Sequence, residues 1–254
     1  MAFQYDFGAT LADDIVGGAE GACPVADVAI ESHRRIVIAF VGLAFEARIA
    51  AGPGVRVVCR TAGNTLEAVA ANAVRQGYRG MISFGVAGGL ASHMRAGDWV
   101  VASAVRESHT VRPTDANWSR KLLGLIGGAI HAPIVGVDAP VAEPREKREL
   151  HYRTGAAAVD MESHLVARAA AAHRLAFAAV RVIVDPAHRR VPSAALLRMR
   201  PDGRADTPAV IRDLIARPAQ FSQLLRIAAD AFTARAEMAR VRQLLGPHFA
   251  LVDA

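Results

Sequence analysis

The segments MISFGVAGGL, residues 81–90, and MRAGDWVV, residues 94–101, combine the pattern of a buried strand with glycines. The first half of MISFGVAGGL is apolar and of strand length, and the adjacent glycines Gly88 and Gly89 follow directly. Because glycine has no Cβ, backbone N–H groups at such a strand end can approach a ligand closely. More often such glycines only turn the chain, and their spacing is not the dinucleotide fingerprint G-x-G-x-x-G. The segment therefore predicts a buried strand and leaves a ligand role open.

Short apolar runs like this one recur along the chain and alternate with helical patterns, which is typical of an α/β domain. Several runs lack alternating polar residues, which favours strands that helices cover on both faces. We predict a three-layer αβα single domain over residues 36–254, after an N-terminal extension at residues 1–35. Its predicted strands are 36–41, 55–59, 80–86, 99–102, 134–137, 156–159 and 177–184. Helical spacing also predicts a long final helix from Phe221 to Leu245, ended by Gly246 and Pro247.

The composition indicates a globular chain of 254 residues, 52% of them hydrophobic. No apolar run reaches the roughly 18 residues of a membrane-spanning helix, and residues 1–15 lack the positive charge of a secretory signal. We therefore expect a cytoplasmic protein. The net charge is +6, and almost all of the basic residues are arginines. These arginines are spread along the chain without interleaved aromatics, which argues against nucleic-acid binding but leaves weak peripheral contact with anionic membranes open.

Three carboxylates follow apolar runs and are candidate catalytic groups. Glu162 lies at a strand end and helix start, where it can accept hydrogen bonds from a diol or simply complement the helix dipole. Asp185 ends an apolar strand before Pro186; burial there would raise its pKa, whereas the alternative is an ordinary turn cap. Glu46 can act as a general base and Arg48 as an anion ligand, or both can lie on the solvated face of a helix that begins near Leu43. No metal-ligand pattern occurs among the nine histidines.

The order of these motifs resembles the nucleoside phosphorylase and methylthioadenosine/adenosylhomocysteine nucleosidase family. Its hallmarks appear here as AGGL at 87–90 with GD at 97–98, VDMES at 159–163 and RVIVD at 181–185. The resemblance implies a central mixed, partly barrel-like sheet and a homo-oligomer. It also implies cleavage of the N-glycosidic bond of a purine nucleoside without metal or cofactor, with inorganic phosphate as a co-substrate if the enzyme is a phosphorylase.

The resemblance also implies roles for individual residues. Asp185 would protonate the imidazole ring of the purine, and Glu162 would bind the ribose hydroxyls with Met161 against the sugar. Glu46 is the carboxylate nearest the position of the water-activating base of nucleosidases. The other residues implied to line the base or sugar pocket are Val86, Ala87, Gly88, Pro140, Val141 and Val184.

Within that family, GLAFEARIA at 42–50, AVDMESHLVARAA at 158–170 and PSAALLRMRPDGR at 192–204 are most similar to the hopanoid-associated phosphorylases. The similarity to this branch implies release of adenine from adenosylhopane, a nucleoside with a bulky apolar 5′ substituent. The rival substrates are methylthioadenosine and adenosylhomocysteine. A rival of another class is a catalytically silent nucleoside- or lipid-binding protein, against which the presence of both Glu162 and Asp185 argues.

The nucleophile stays open at the level of sequence. Val184 stands where nucleosidases commonly have a serine before the catalytic aspartate, and Ile82 and Ser83 stand where several phosphorylases have an arginine. If phosphate is used, Arg48 or Arg60 would have to bind it.

Overall fold

The computed structural model describes residues 37–59, 66–191 and 221–251. Its strands are β1 Val37–Val41, β2 Val55–Cys59, β3 Gly80–Gly89, β4 Trp99–Glu107, β5 Thr110–Pro113, β6 Ile130–Gly136, β7 Ala158–Asp160 and β8 Ala176–Asp185. Its helices are α1 Ala44–Ala50, α2 Leu66–Arg75, α3 Ala116–Leu125, α4 Pro144–Thr154, α5 Ser163–Ala172 and α6 Phe221–Leu244.

The eight strands form one mixed sheet that closes partly on itself. β3 pairs with β7, β7 with β6, β6 with β4, β4 with β8, and β8 again with β3. β1 and β2 extend the sheet from the first half of β3, and β5 pairs with the second half of β4. The predicted mixed, partly barrel-like α/β sheet is therefore confirmed.

Apolar side chains on both faces of the sheet pack against helices. One core cluster joins strand residues to α1, α3 and α6, including Ala47, Trp118 and Met238. A second joins the opposite strand faces to α2 and α5, including Ala70 and Val166. This arrangement explains the uninterrupted apolar strands of the sequence, because a strand covered on both faces has no solvent side for polar residues.

The boundaries of several strands differ from those predicted. β2 was predicted residue for residue, but β3 continues through Gly89 and β4 through Glu107. β5 was missed because most of its residues are exposed, so the short edge strand lacks an apolar signal. The final helix was predicted correctly and ends one residue earlier, at Leu244.

Some predictions lie outside the described residues: the extension at 1–35, the phosphate candidate Arg60 and the segment 192–204. None of the described helices combines the length and the hydropathy needed to cross a membrane.

Candidate active site

The second half of β3 is the backbone on which the candidate site is built. Its Val86 N–H donates a hydrogen bond of 2.8 Å to Glu46 Oε1. The other oxygen of Glu46 accepts from the N–H groups of Gly42 and Leu43, at 2.7 and 2.8 Å. Glu46 thus satisfies N–H groups at the start of its own helix, α1, and joins that helix to the central strand.

The Glu46 carboxyl group is almost fully buried, with 1% of the residue exposed. Burial raises its pKa to about 7, against the opposing effects of the Arg181 charge and the backbone donors, while the charge of Glu162 raises it further. A carboxyl group with this pKa is partly ionised at neutral pH and can both accept and return a proton.

Arg181, in the middle of β8, is the cation of this cluster and is fully buried. Its Nε lies 2.5 Å from Asp160 Oδ2 and its Nη2 lies 3.6 Å from Glu162 Oε2. Its Nη2 also donates to Ser83 Oγ at 2.6 Å. Burial opposes the charge of Arg181, but Asp160, Glu162 and Glu46 together raise its pKa, so it stays a cation. One arginine therefore faces three carboxylates.

Two glycines leave the space that these side chains occupy. A Cβ on Gly85 would lie 2.5 Å from Glu46 Oε1 and 2.6 Å from Arg181 Nη1, so Glu46 and Arg181 are close neighbours over that strand position. A Cβ on Gly42 would lie 2.9 Å from Glu162 Oε1. These glycines are needed for close packing of charged groups against the backbone.

Asp185 lies at the end of β8, where the β3–β8 pairing shifts register so that Gly88 is its partner. A Cβ on Gly88 would lie 3.2 Å from Asp185 Oδ2, which is tighter than an ordinary contact. Oδ2 also accepts a 2.6 Å hydrogen bond from Lys147 Nζ. Burial raises the pKa of Asp185, whereas Lys147 lowers it, and the net direction is upward.

Two groups of charged side chains adjoin the same stretch of β3: the cluster around Arg181 and the pair formed by Asp185 and Lys147. Arg181 pairs with Gly85 and Asp185 with Gly88, and three residues of strand span roughly 10 Å. Gly88 also pairs with Val159, which leads through β7 to Asp160 and Glu162. The structure thus brings together Glu46, Glu162 and Asp185, which lie far apart in the sequence.

Apolar residues predicted for the pocket lie around this stretch. Val86 and Val184 are partly buried against one core cluster, whereas Ala87 is buried in the other. Val141 packs with Leu90 and Val159. Met161 is partly buried between Asp160 and Glu162. Pro140 is exposed in the segment before α4.

Arg48 does not share the environment of Glu46. Side chains two residues apart on a helix lie on different faces of it. Accordingly, Arg48 is exposed while Glu46 is buried. The hypothesis that both lie on a solvated face is wrong for Glu46. The contacts of the described residues give the site a different arginine, Arg181, because β8 carries its side chain inward between the three carboxylates.

Sequence reasoning gave no role to Arg181, Asp160 or Lys147. For Arg181 the available signal was a charge inside an otherwise apolar strand, AFAAVRVIVD, since such a charge requires buried partners. Asp160 accepts from the N–H and the Oγ of Ser163, so part of its role is to cap α5. Within the described residues, no group of three or more histidine, cysteine, aspartate or glutamate side chains could hold a metal ion.

Comparison with known proteins identifies the family. The model of the Phosphorylase superfamily matches residues 30–216, most of the chain. The chain belongs to this superfamily. No curated protein matches it.

Solved structures of the same fold include nucleoside-cleaving enzymes. Futalosine hydrolase of Helicobacter pylori is 16% identical, with a TM-score of 0.54 over 72% of this chain and 100% of that one. S-adenosylhomocysteine nucleosidase from Streptococcus pyogenes, in complex with 5-methylthiotubericidin, is 15% identical, with a TM-score of 0.53 over 79% and 98%. The 5′-methylthioadenosine/S-adenosylhomocysteine nucleosidase from Colwellia psychrerythraea, in complex with adenine, is 16% identical, with a TM-score of 0.52 over 82% and 96%. At these identities the likeness concerns the fold.

Proposed function

We propose that this protein hydrolyses the N-glycosidic bond of an adenine nucleoside. The observation that carries the proposal is the convergence of Glu46, Glu162 and Asp185 on one stretch of β3, in a chain of the Phosphorylase superfamily. Each carboxyl group has a different environment, which suits three different roles.

Glu46 is the general base in this proposal. Three described backbone N–H groups fill most of the roughly four hydrogen-bonding positions of its carboxylate. The remaining position can take a proton from water. The water oxygen then bonds to C1′ of the ribose as the C1′–N9 bond breaks, and the bonding electron pair leaves with adenine. Glu46 releases its captured proton to solvent before the next turnover.

Glu162 and Asp185 act on the two halves of the nucleoside. Glu162 is 17% exposed in its side chain and can accept hydrogen bonds from the ribose hydroxyls. Asp185, 18% exposed, donates its proton to the imidazole ring of the leaving adenine. General acid catalysis of this kind contributes about 10²–10⁴-fold.

The charge balance around Arg181 favours water over phosphate as the nucleophile. Its positive charge is opposed by Asp160, Glu162 and Glu46, two of which form ion pairs with it. A phosphate dianion brought to this cluster would meet excess negative charge, whereas a neutral water would not. Arg48, the phosphate candidate within the described residues, is exposed.

For the substrate, we propose an adenine nucleoside with a bulky apolar 5′ group, with adenosylhopane as the first candidate and a ribosyl hopanoid as the second product. The sequence segments at 42–50 and 158–170 support this choice. Methylthioadenosine and adenosylhomocysteine are the second candidates, because structures of the same fold include nucleosidases for them. We also propose that the enzyme is a homo-oligomer that contacts the membrane peripherally to reach a lipid substrate.

The test is adenine release from both substrates, with and without phosphate, with identification of the sugar product. The proposal expects free ribosyl product and no dependence on phosphate. A phosphorylated sugar would replace hydrolysis by phosphorolysis, and faster turnover of methylthioadenosine would remove the hopanoid assignment.

The Asp185→Asn variant separates an enzyme from a silent binding protein. We expect adenine release to fall by about 10²–10⁴-fold while nucleoside binding persists. Unchanged turnover in a highly purified variant would contradict the role of Asp185.

A further inference from the structure

Lys147 contacts the candidate acid but belongs to none of the motifs of the sequence. It lies on α4, and it is one of only two lysines in a chain with 30 basic residues. Its side chain is completely buried. A buried lysine is rare unless it is paired, so its partners indicate why it is there.

The ammonium group of Lys147 has four oxygen atoms around it, which belong to Asp185 at the end of β8 and to the segment that follows it. Asp185 Oδ2 is the nearest, at 2.6 Å. The carbonyl oxygens of Asp185, Pro186 and Arg189 lie at 3.3, 3.3 and 3.1 Å. An ammonium group has only three donors, so the short bond to the carboxylate is the strongest of these contacts.

We propose that Lys147 is a positioning residue for general acid catalysis, fixing the Asp185 carboxyl group and stabilising the carboxylate that forms when its proton is transferred. The proposal rests on the proposed function, since it assigns Asp185 as the acid. Lys147 does not touch the substrate in this role.

The geometry assigns the two oxygens of Asp185 different tasks. Oδ2 is held by Lys147, so Oδ1 is the atom that delivers the proton to the leaving base. As the C1′–N9 bond breaks, the proton moves from Oδ1 to the purine ring nitrogen, and the negative charge left on the carboxyl group faces the Lys147 ammonium. The carboxyl group then takes up a proton from solvent before the next turnover.

The other charges that face Asp185 do not replace Lys147. Asp230 on α6 is an anion, which opposes ionisation of Asp185. Arg189 is engaged with Asp230, with Nε 2.6 Å from its Oδ2. Among the described contacts of Asp185, Lys147 is the cation that contacts its carboxylate directly.

A structural clamp is the alternative role, because Lys147 also ties α4 to the segment after β8. The two roles differ in their dependence on the leaving group. A 4-nitrophenolate group departs without protonation, whereas adenine requires it. A Lys147→Met variant would affect both reactions equally if it only disturbed the fold, but adenine release alone if it acts through the acid.

The experiment compares release of adenine and of 4-nitrophenolate from ribosides with the same 5′ group, in one preparation of each protein. For Lys147→Met we expect the ratio of the two kcat values to fall at least about tenfold, and no further than the roughly 10²–10⁴-fold that the acid itself contributes. The ratio does not depend on the folded fraction. Lys147→Arg keeps the positive charge and should restore part of the loss, and Lys121→Met, on the exposed part of α3, is the matched control.

The pH profile and a double variant complete the test. Without Lys147 the pKa of Asp185 should rise, so the alkaline limb of adenine release should move to higher pH. In an Asp185→Asn background, Lys147→Met should cause no further loss in the ratio. An unchanged ratio in Lys147→Met, or additive losses in the double variant, would overturn the proposal. A wild-type protein that releases nitrophenolate but no adenine would overturn it too, and one that cleaves neither substrate would overturn the proposed function itself.

Discussion

Two charged clusters adjoin the same stretch of β3, and they differ in their balance of charge. Around Arg181, three carboxylates face one cation. At the end of β8, Asp185 forms an ion pair with Lys147. The first cluster is nearly closed to solvent at Glu46 and Arg181, whereas the Asp185 side chain is 18% exposed.

One strand can thereby support opposite proton transfers. Burial keeps the proton affinity of Glu46 high, with a pKa of about 7 despite the Arg181 charge, and the charge of Glu162 adds to it, so that Glu46 can take a proton from water. A cation beside Asp185 instead favours loss of its proton once a base is presented. In the proposed reaction, Glu46, in the cluster around Arg181, accepts a proton, and Asp185, paired with Lys147, donates one.

The largest effect should come from removing the base. For Glu46→Gln we expect kcat for adenine release to fall by about 10²–10⁴-fold, because no group is left to take the proton from water. The measurement is steady-state release of adenine, with thermal unfolding to verify the fold. Glu149→Gln on the exposed surface of α4 is the control and should stay near wild type. If Glu46→Gln turned over normally, the two clusters would not divide the proton transfers as described.

The ionisation of Glu46 should also appear in stability. Its pKa is raised in the folded state from 4.5 to about 7, so the folded protein binds this proton more tightly than the unfolded chain. The stabilisation is fully present below pH 4.5 and is lost as pH rises through about 7, amounting to about 3 kcal/mol.

Denaturant unfolding of wild type and Glu46→Gln between pH 4 and pH 8 measures this contribution. As pH rises across that interval, the free energy of unfolding of the wild type should fall relative to that of the variant. In the wild type, kcat should rise through the same pH, because ionised Glu46 is the active form. A flat difference would mean that the pKa of Glu46 is the same in the folded and the unfolded protein.

Seven of the eight described strands and the three candidate carboxylates leave local signals in the sequence. Apolar runs and strand-end glycines are contiguous in the sequence. Glu162 lies two residues after β7, and Asp185 ends β8. Lys147 left no such signal. It lies 38 residues from Asp185, in the highly charged helix PREKRELHYRT, where one more charge is typical of a solvated face. Only its buried contact with Asp185 in the folded structure distinguishes it.

A smaller effect is expected where a glycine makes room for Glu162. In Gly42→Ala, the new Cβ would lie 2.9 Å from Glu162 Oε1 and displace the carboxylate from the sugar. A hydrogen bond to a charged group contributes roughly 1.5–3 kcal/mol, so losing one between the ribose and Glu162 should raise KM for the nucleoside by about tenfold or more. Gly124→Ala on α3 is the control: its Cβ would meet nothing within 4 Å. It should leave KM unchanged and stabilise the helix by roughly 0.5–1 kcal/mol. Equal KM values in both variants would show that Glu162 does not bind the sugar.

The smallest effect should come from Arg48, whose exposed position contrasts with the buried Arg181. Exposed substitutions away from a site change stability by no more than about 0.5 kcal/mol, so Arg48→Ala should retain adenine release within about twofold. Because hydrolysis makes no use of an anion ligand, this result should hold both with and without phosphate. A loss seen only in the presence of phosphate would show that Arg48 binds the anion. The balance of three carboxylates to one arginine would then no longer decide the nucleophile, since the positive charge for phosphate would come from outside the buried cluster.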